Sequence, residues 1–283
     1  RLWSFANSFL NLRSECASPL LKTPNTEEQL QSSDILGFVK KIAVLVRGGL
    51  MPVAYAYPAD MRATRDLMRR RLLFVRQRGS LLAHVQITHH QYNVDPPGKR
   101  ITYRSNREGL GEGFEDSSVR HSIAADLALA DHYEVTISEL ELAVLRQARI
   151  HDPNALALLT SVPGIGKVLA LTILYEIHDI SRFPSVRDFA SYSRLVKCER
   201  SSAGKSLGSG GNKIGNAYLK WAFSEAAVLF IAKSEQGRTV LTRLERKYGK
   251  PKALSVLAHK LGRAVYYMLA RNQAFDPQRF ATS

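Results

Sequence analysis

Apolar residues recur at steps of three and four over two long stretches of this chain, and that period predicts helices. Met61, Thr64, Leu67, Met68, Leu72, Val75, Leu82 and Val85 form one stripe, on a helix that Asp60 caps and that runs to about Tyr92. At the usual rise it is about 50 Å long. Ile123, Leu127, Ala130, Ile137, Val144 and Ala148 form a second stripe at near-heptad steps, on a helix from about Ser117 to Ile150. Packing the two helices antiparallel buries both stripes at once. Between them, Asn93-Val94-Asp95-Pro96-Pro97-Gly98 and the Gly/Glu segment near 109–112 read as connection. Upstream, residues 35–47 follow a helical pattern that Gly48-Gly49 ends in the manner of a C-cap.

The polar faces of the long helices support the same pairing. The first carries Arg62, Arg65, Arg69, Arg70, Arg71, Arg76 and Arg78 against Asp66 alone, while residues 108–141 hold nine acids and one Arg. Intramolecular pairing is preferred here to arginine-to-phosphate contact, and both stay open at different arginines. His89-His90 near Asp95 suggests a metal at first sight. Adjacent histidines on a helix point to different faces, so solvated polar residues are the expectation.

The second half is patterned more densely. Residues 168–177 are apolar at nearly every position, and a helix over 216–232, with Leu219, Trp221, Phe223, Val228, Leu229, Phe230 and Ile231, is apolar almost all round and reads as buried core. Glu225 inside it is expected to pair with a loop base. Pro251 starts a final amphipathic helix whose stripe is Leu254, Leu257, Leu261, Val265 and Met268.

Two loops in this half carry candidate chemistry. Val162-Pro163-Gly164-Ile165-Gly166-Lys167 reads as a tight turn between helices, with Gly164 and Gly166 supplying positive φ and Ile165 plugging inward. The free N–H groups and positive dipole end of the second helix, with Lys167 beside them, make a phosphate site of the helix-hairpin-helix kind. A plain Pro-Gly turn between packed helices stays open as the alternative. The second loop lies between Arg194 and Lys220, where six Lys or Arg accompany one acid, Glu199, around a Ser/Gly-rich centre. Glycine permits close approach and lysine neutralises oxygens, which suits a phosphodiester backbone. Lys197, Arg200, Lys205, Lys213, Asn216 and Lys220 are the candidate contacts.

Composition sharpens that reading. The 283 residues suffice for two domains, and the net charge is +15. Residues 1–150 carry 20 basic and 16 acidic side chains, residues 151–283 carry 20 and 9. The surplus in the second half points to a polyanion, most simply nucleic acid. Two cysteines, Cys16 and Cys198, form neither a disulfide framework nor a zinc spacing, so a reducing cytoplasm is expected. No apolar run approaches a membrane span. The first residues lack a signal-peptide cleavage region and an initiator Met.

Taken in register, Leu159-Thr160-Ser161-Val162-Pro163-Gly164-Ile165-Gly166, Arg182-Phe183, Ser191-Tyr192, Ser202-Ala203-Gly204-Lys205 and Gly215-Asn216-Ala217-Tyr218-Leu219-Lys220 resemble the C-terminal domain of bacterial insertion-sequence transposases of the 110/116/902 group. The resemblance extends upstream through Leu45-Val46-Arg47-Gly48-Gly49-Leu50-Met51-Pro52, Tyr55-Ala56-Tyr57-Pro58 and Met61-Arg62-Ala63-Thr64-Arg65-Asp66-Leu67. It implies a serine nucleophile in the C-terminal domain, which falls on Ser202 with Ser201 as its competitor. It also implies a ribonuclease H-like N-terminal domain holding Mg²⁺ through four acids, and a structured guide RNA that pairs with DNA. The chain departs from the pattern in its first half: the register of the last two acids falls on Ile35 and Phe38, with only Asp34 nearby. No cofactor is therefore evident in this chain, and the resemblance implies a truncated or decayed transposase.

The expected fold is mainly α: residues 1–58 a remnant of an α/β nuclease-like domain, 59–150 a long antiparallel helical arm, 151–245 a compact all-α domain with the helix-hairpin-helix, and 246–283 an amphipathic helix and tail. The expected function is DNA transposition by serine attack on a DNA phosphate, impaired by loss of the acidic metal site. The alternative is a catalytically inactive nucleic-acid-binding module or regulator; a further rival is a structural protein that only dimerises. Expected partners are DNA, a structured guide RNA and a second copy through the long helices, with no membrane, in a bacterial cytoplasm at the nucleoid.

Overall fold

The computed structural model describes residues 32–50, 55–95, 97–196, 201–202, 205–206 and 215–282. Most of the expected nuclease-like remnant, together with Lys197, Arg200 and Lys213, lies outside them. The chain divides into two units, 1–56 and 57–283. In the first, helix α1 (Ser32–Arg47) ends where Gly49 takes φ +65° and the Gly48 and Leu50 N–H groups donate to Val44 and Leu45 carbonyls at 2.9 Å. That is the expected glycine cap. Ile35 and Phe38 both fall within α1.

The second unit begins with the arm, α2 (Ala59–Gln91) and α3 (Ser117–His151). Both ranges agree with the periodicity, except that α2 starts behind Pro58, so Asp60 sits in its first turn and is not its cap. Asp116 caps α3 through the Ser118 N–H at 2.7 Å. Cross-helix pairs show the direction. Arg71 meets Glu141 at 2.5 Å, Arg78 meets Glu134 at 3.7 Å and His84 meets Asp126 at 2.6 Å, partner numbers falling as the first numbers rise. The helices are antiparallel, and Met61, Met68, Leu72, Leu82 and Val85 are buried with Ile123, Ala130, Ile137 and Val144.

The connection at the arm's tip is more ordered than its composition suggests. Ile101 and Phe114 fold back to join Leu82, Val85, Val119 and Ile123 in a small separate core. Arg107, 5 % exposed, clasps this turn: its guanidinium donates to the Ile101 and Thr102 carbonyls and pairs with Asp131 and Glu134 of α3. His89 is buried, its Nδ1 donating to the Val85 carbonyl at 2.8 Å and its ring edge-on to Phe114. The expectation that both adjacent histidines are solvated holds for His90 alone. Among the described residues no group of His, Cys, Asp and Glu could hold a metal ion.

The compact domain follows as α4 (Pro153–Thr160), α5 (Lys167–Ile177), α6 (Val186–Tyr192), a two-stranded ribbon of β1 (Ser201–Ser202) and β2 (Lys205–Ser206), α7 (Ala217–Lys233), α8 (Glu235–Tyr248), α9 (Lys250–Arg271) and α10 (Pro277–Thr282). The chain is mainly α, as expected, with this ribbon where a loop was expected. Tyr175, Phe189, Leu219, Phe223, Phe230, Leu257 and Leu261 are all fully buried in one core, each worth about 1.5–3 kcal/mol of transfer free energy. Helix α9 and Phe280 of α10 belong to that core. Residues 246–283 are therefore part of the domain and not an appended tail.

Helix α7 is less enclosed than its sequence suggests. Leu219, Ala222, Phe223, Ala226, Ala227 and Phe230 are buried, while Lys220, Glu225 and Leu229 stand on an open flank. Partial desolvation raises the Glu225 pKa, and it has no partner among the described residues.

Candidate nucleic-acid interface

The two candidate loops are built as separate sites by this fold. The first is the turn 161–167. Gly164 has φ +93°, and a Cβ there would lie 2.5 Å from the Phe230 backbone nitrogen. The turn is thus a glycine contact onto the backbone of α7 at its C-terminal half. Ile165 is buried, as the plug reading requires. Gly166 caps α5 with φ −82° and ψ 179°, an extended geometry open to any residue, so the expectation of positive φ holds for Gly164 only. Gly166 and Lys167 are exposed at the start of α5, where the first N–H groups and the positive dipole end face outward.

The second site is the root of the basic segment. Glu176, near the C-terminus of α5, is 4 % exposed and receives Arg69 of α2 through two bonds of 2.7 Å. Asn216 donates to the same carboxylate at 2.7 Å and lies 3.4 Å from the Tyr192 hydroxyl. Its Oδ1 caps α7 by accepting from the Tyr218 and Leu219 N–H groups at 2.9 and 3.0 Å. Burial alone would lower the Arg69 pKa, but the hydrogen bond and charge of Glu176 outweigh it and raise it. Arg69 also lies over the Tyr218 ring, 4.8 Å from its centroid.

Asn216 was expected among the phosphate contacts. The structure uses it instead as helix cap and carboxylate partner, with both ends of the amide engaged by protein.

This buried network anchors the ends of the Ser/Gly segment. The Asn216 N–H donates to the Tyr192 carbonyl at 2.6 Å, and Arg194 Nε donates to the Gly215 carbonyl at 3.0 Å. Gly215, at φ +98°, could not carry a Cβ, which would lie 2.6 Å from the Tyr192 carbonyl oxygen. Residues 194 and 215 are therefore held side by side. Within the segment, β1 and β2 pair antiparallel with Ser201 opposite Ser206 and Ser202 opposite Lys205. Lys220 is exposed in the first turn of α7, close to this root.

The two sites lie at opposite ends of one helix pair. Gly164 precedes α5 and touches Leu229 and Phe230, whereas Glu176 ends α5 and meets the cap of α7. The helices run antiparallel, and residues 216 to 230 span roughly 20 Å at about 1.5 Å per residue. Gly164, Gly166 and Lys167 therefore do not join Lys220 and the hairpin root in one cluster.

Glu176 was not singled out from the sequence, though it gave a signal as the one acid in an otherwise apolar helix, and Arg69, Tyr192 and Gly215 stood there only as an arm arginine and as landmarks of the resemblance. Near it, the Tyr57 hydroxyl donates to the Tyr175 carbonyl at 2.7 Å, and the Tyr175 hydroxyl meets His151 Nδ1 at 2.9 Å. Burial pushes the Tyr175 phenol up to about 12, against a smaller lowering by Thr64. No helix among the described residues is long and apolar enough to cross a membrane.

The transposase IS116/IS110/IS902 family matches residues 156–241, from α4 to the middle of α8. The chain is similar to a putative transposase, y4qE, of Sinorhizobium fredii, 26% identical over 81% of this chain and 56% of that protein. It is also 29% identical to the transposase for insertion sequence element IS1328 of Yersinia enterocolitica, over 52% of this chain and 46% of the relative. An uncharacterized protein of insertion element IS110 from Streptomyces coelicolor is 28% identical over 56% of this chain and 38% of its own length. The chain spans about half the length of the curated relatives it matches. Residues 156–241 thus match the transposase IS116/IS110/IS902 family, and the chain is similar to insertion-sequence transposases over that stretch and beyond it.

Proposed function

We propose that this chain is a DNA-binding transposase acting in DNA transposition, with the Ser202 hydroxyl as nucleophile toward a DNA phosphate. The observation that carries the reading is the hairpin register: Ser202 lies opposite Lys205, on a segment whose roots are pinned at Tyr192–Asn216 and Arg194–Gly215. A serine and a lysine paired across a ribbon offer a phosphate both a nucleophile and a neutralising charge. In the step, Ser202 Oγ bonds to phosphorus and the bond from phosphorus to one sugar oxygen breaks. The serine proton is transferred overall to that oxygen. Attack by a second sugar hydroxyl reverses the exchange and frees the serine, so no external energy source is consumed.

Lys197, Arg200, Lys205, Lys213 and Lys220 are the proposed phosphate contacts around the hairpin, with Gly166 and Lys167 as a separate backbone grip at the far end of α5. The family resemblance adds a structured guide RNA as partner. Homo-oligomerisation through the arm draws support from Leu129, Val135 and Leu142, exposed along α3. Sedimentation of the chain as a monomer at micromolar concentration would remove that part of the proposal.

Mg²⁺ would be held in the family by acids. Ile35 and Phe38 occupy the register of two of them, and no described cluster fits a metal, so no step is routed through one. Ile35 and Phe38 in that register favour a second reading, a nucleic-acid-binding regulator without strand transfer. Incubating the chain with labelled insertion-sequence DNA and running a denaturing gel separates the two. A covalent complex that vanishes in Ser202→Ala supports the transposase; binding without any trapped complex rejects the serine step and leaves the regulator.

A further inference from the structure

A second basic surface lies mostly beyond the residues that match the family. Helices α8, α9 and α10 enclose a groove of about 780 Å³. Arg243 and Lys247, four apart on α8, face Lys260, Arg263 and Arg271 on one side of α9, and Arg279 of α10 completes the lining. The groove contains one acid, Asp276, whose Oδ1 is occupied in capping α10 through the Gln278 and Arg279 N–H groups at 2.9 and 3.1 Å. None of the six cations forms an ion pair with a described residue.

The arms' arginines show that this fold pairs its cations where pairing is the purpose: Arg69, Arg71, Arg78 and Arg107 each meet a carboxylate. Here like charges are instead held together. Burial and the neighbouring Arg243 and Arg263 charges lower the Lys260 pKa, and burial followed by Arg263 lowers that of His259. Such a cluster is relieved by an anion. Tyr248 and Tyr267 line the same groove, 43% and 37% exposed, with Lys247 and Arg271 over their rings at 5.2 and 4.8 Å.

We propose that this groove binds a single-stranded nucleic-acid segment, its cations on the phosphates and its two tyrosines against unpaired bases. A cationic trough interleaved with half-exposed aromatic rings is how sequence-tolerant single-strand sites are built. The size is that of a pocket enclosing a small ligand, about 300–1,000 Å³, which admits a few nucleotides of one strand and not a duplex. The groove is also distinct from the Ser202 hairpin. Phe230 packs against Phe275 and Phe280 at 5.8 and 5.2 Å and against Gly164, which places the groove's floor at the turn end of α7, away from the hairpin root.

The test is fluorescence anisotropy of the full chain with labelled oligothymidylate and with a duplex of equal length, across a salt series. In a triple variant, Arg243→Gln, Lys260→Gln and Arg263→Gln, oligothymidylate affinity is expected to fall at least about tenfold, and the slope of log affinity against log salt to shrink by about 2. Tyr267→Leu is expected to weaken oligothymidylate about fivefold or more and duplex far less. The paired variant Arg243→Lys with Arg263→Lys keeps the charge and must keep most of the affinity, which separates lost contacts from lost folding. The same losses must persist in a Lys205→Gln background, so that failure of the hairpin reading leaves this result interpretable. Unchanged oligothymidylate binding in the triple variant overturns the proposal, and so does an equal loss on duplex.

Discussion

Glu176 shows how one residue can connect three parts of this protein. It is the only acid in α5, and its carboxylate holds Arg69 of the arm and Asn216 at the start of α7. Replacing it with alanine leaves the Arg69 guanidinium half-buried and unpaired and frees the Asn216 amide. Loss of one partner of a buried pair costs about 3–5 kcal/mol, and Arg69's partial exposure sets this case at the lower end. A urea melt of Glu176→Ala should show a loss of about 3 kcal/mol, and a loss under about 1 kcal/mol would mean that the network is a surface ion pair in energetic terms. Tyr175 yields a second prediction, in pH. Its pKa is raised from 10.0 to about 12 in the folded chain, so its contribution is complete below pH 10. Between those values the unfolded phenol has lost its proton and the folded one has kept it, and stability falls as pH rises. Thermal melts of the protein and of Tyr175→Phe should diverge in slope over that window, the variant lacking this component; parallel curves would contradict the burial argument.

At the scale of elements, the turn before α5 separates what sequence can and cannot tell. Gly164 and Gly166 look equivalent in the string Pro163-Gly164-Ile165-Gly166, yet only Gly164 takes a positive φ and touches the α7 backbone. Gly164→Ala combines a left-handed backbone with a clash and should cost more than about 2 kcal/mol. Gly166→Ala meets open space and should change stability by under about 1 kcal/mol. Equal effects in chemical denaturation would show that the turn's geometry is misassigned. The arm was legible almost to the residue, because both stripes repeat over about seven turns and the opposing charges fixed the direction. The tip was not, since Arg107 acts on carbonyls and acids that no local pattern brings together. The role of Asn216 was hidden for the same reason: Glu176, its partner, is 40 positions away in the chain. The all-round apolar look of α7 misled in a different way, because Lys220 and Glu225 mark an open flank that a helix so rich in large side chains conceals.

For the whole molecule, the excess of charge in the second half was visible in the sequence, but the gathering of six of its cations in the groove between α8, α9 and α10 was not. Periodicity assigned α9 a buried stripe and gave no reason to align its opposite residues with Arg243 and Lys247 of another helix. The central claim is that the basic serine-glycine segment meets a sugar-phosphate backbone. It is tested most directly by the salt dependence of DNA affinity, comparing the chain with a variant in which Lys197, Arg200, Lys205, Lys213 and Lys220 are all glutamine. Each lost phosphate contact removes roughly 0.7–0.9 from the slope of log affinity against log salt, so the variant's slope should be shallower by about 3 or more. A variant with the parent's slope and affinity would contradict the claim.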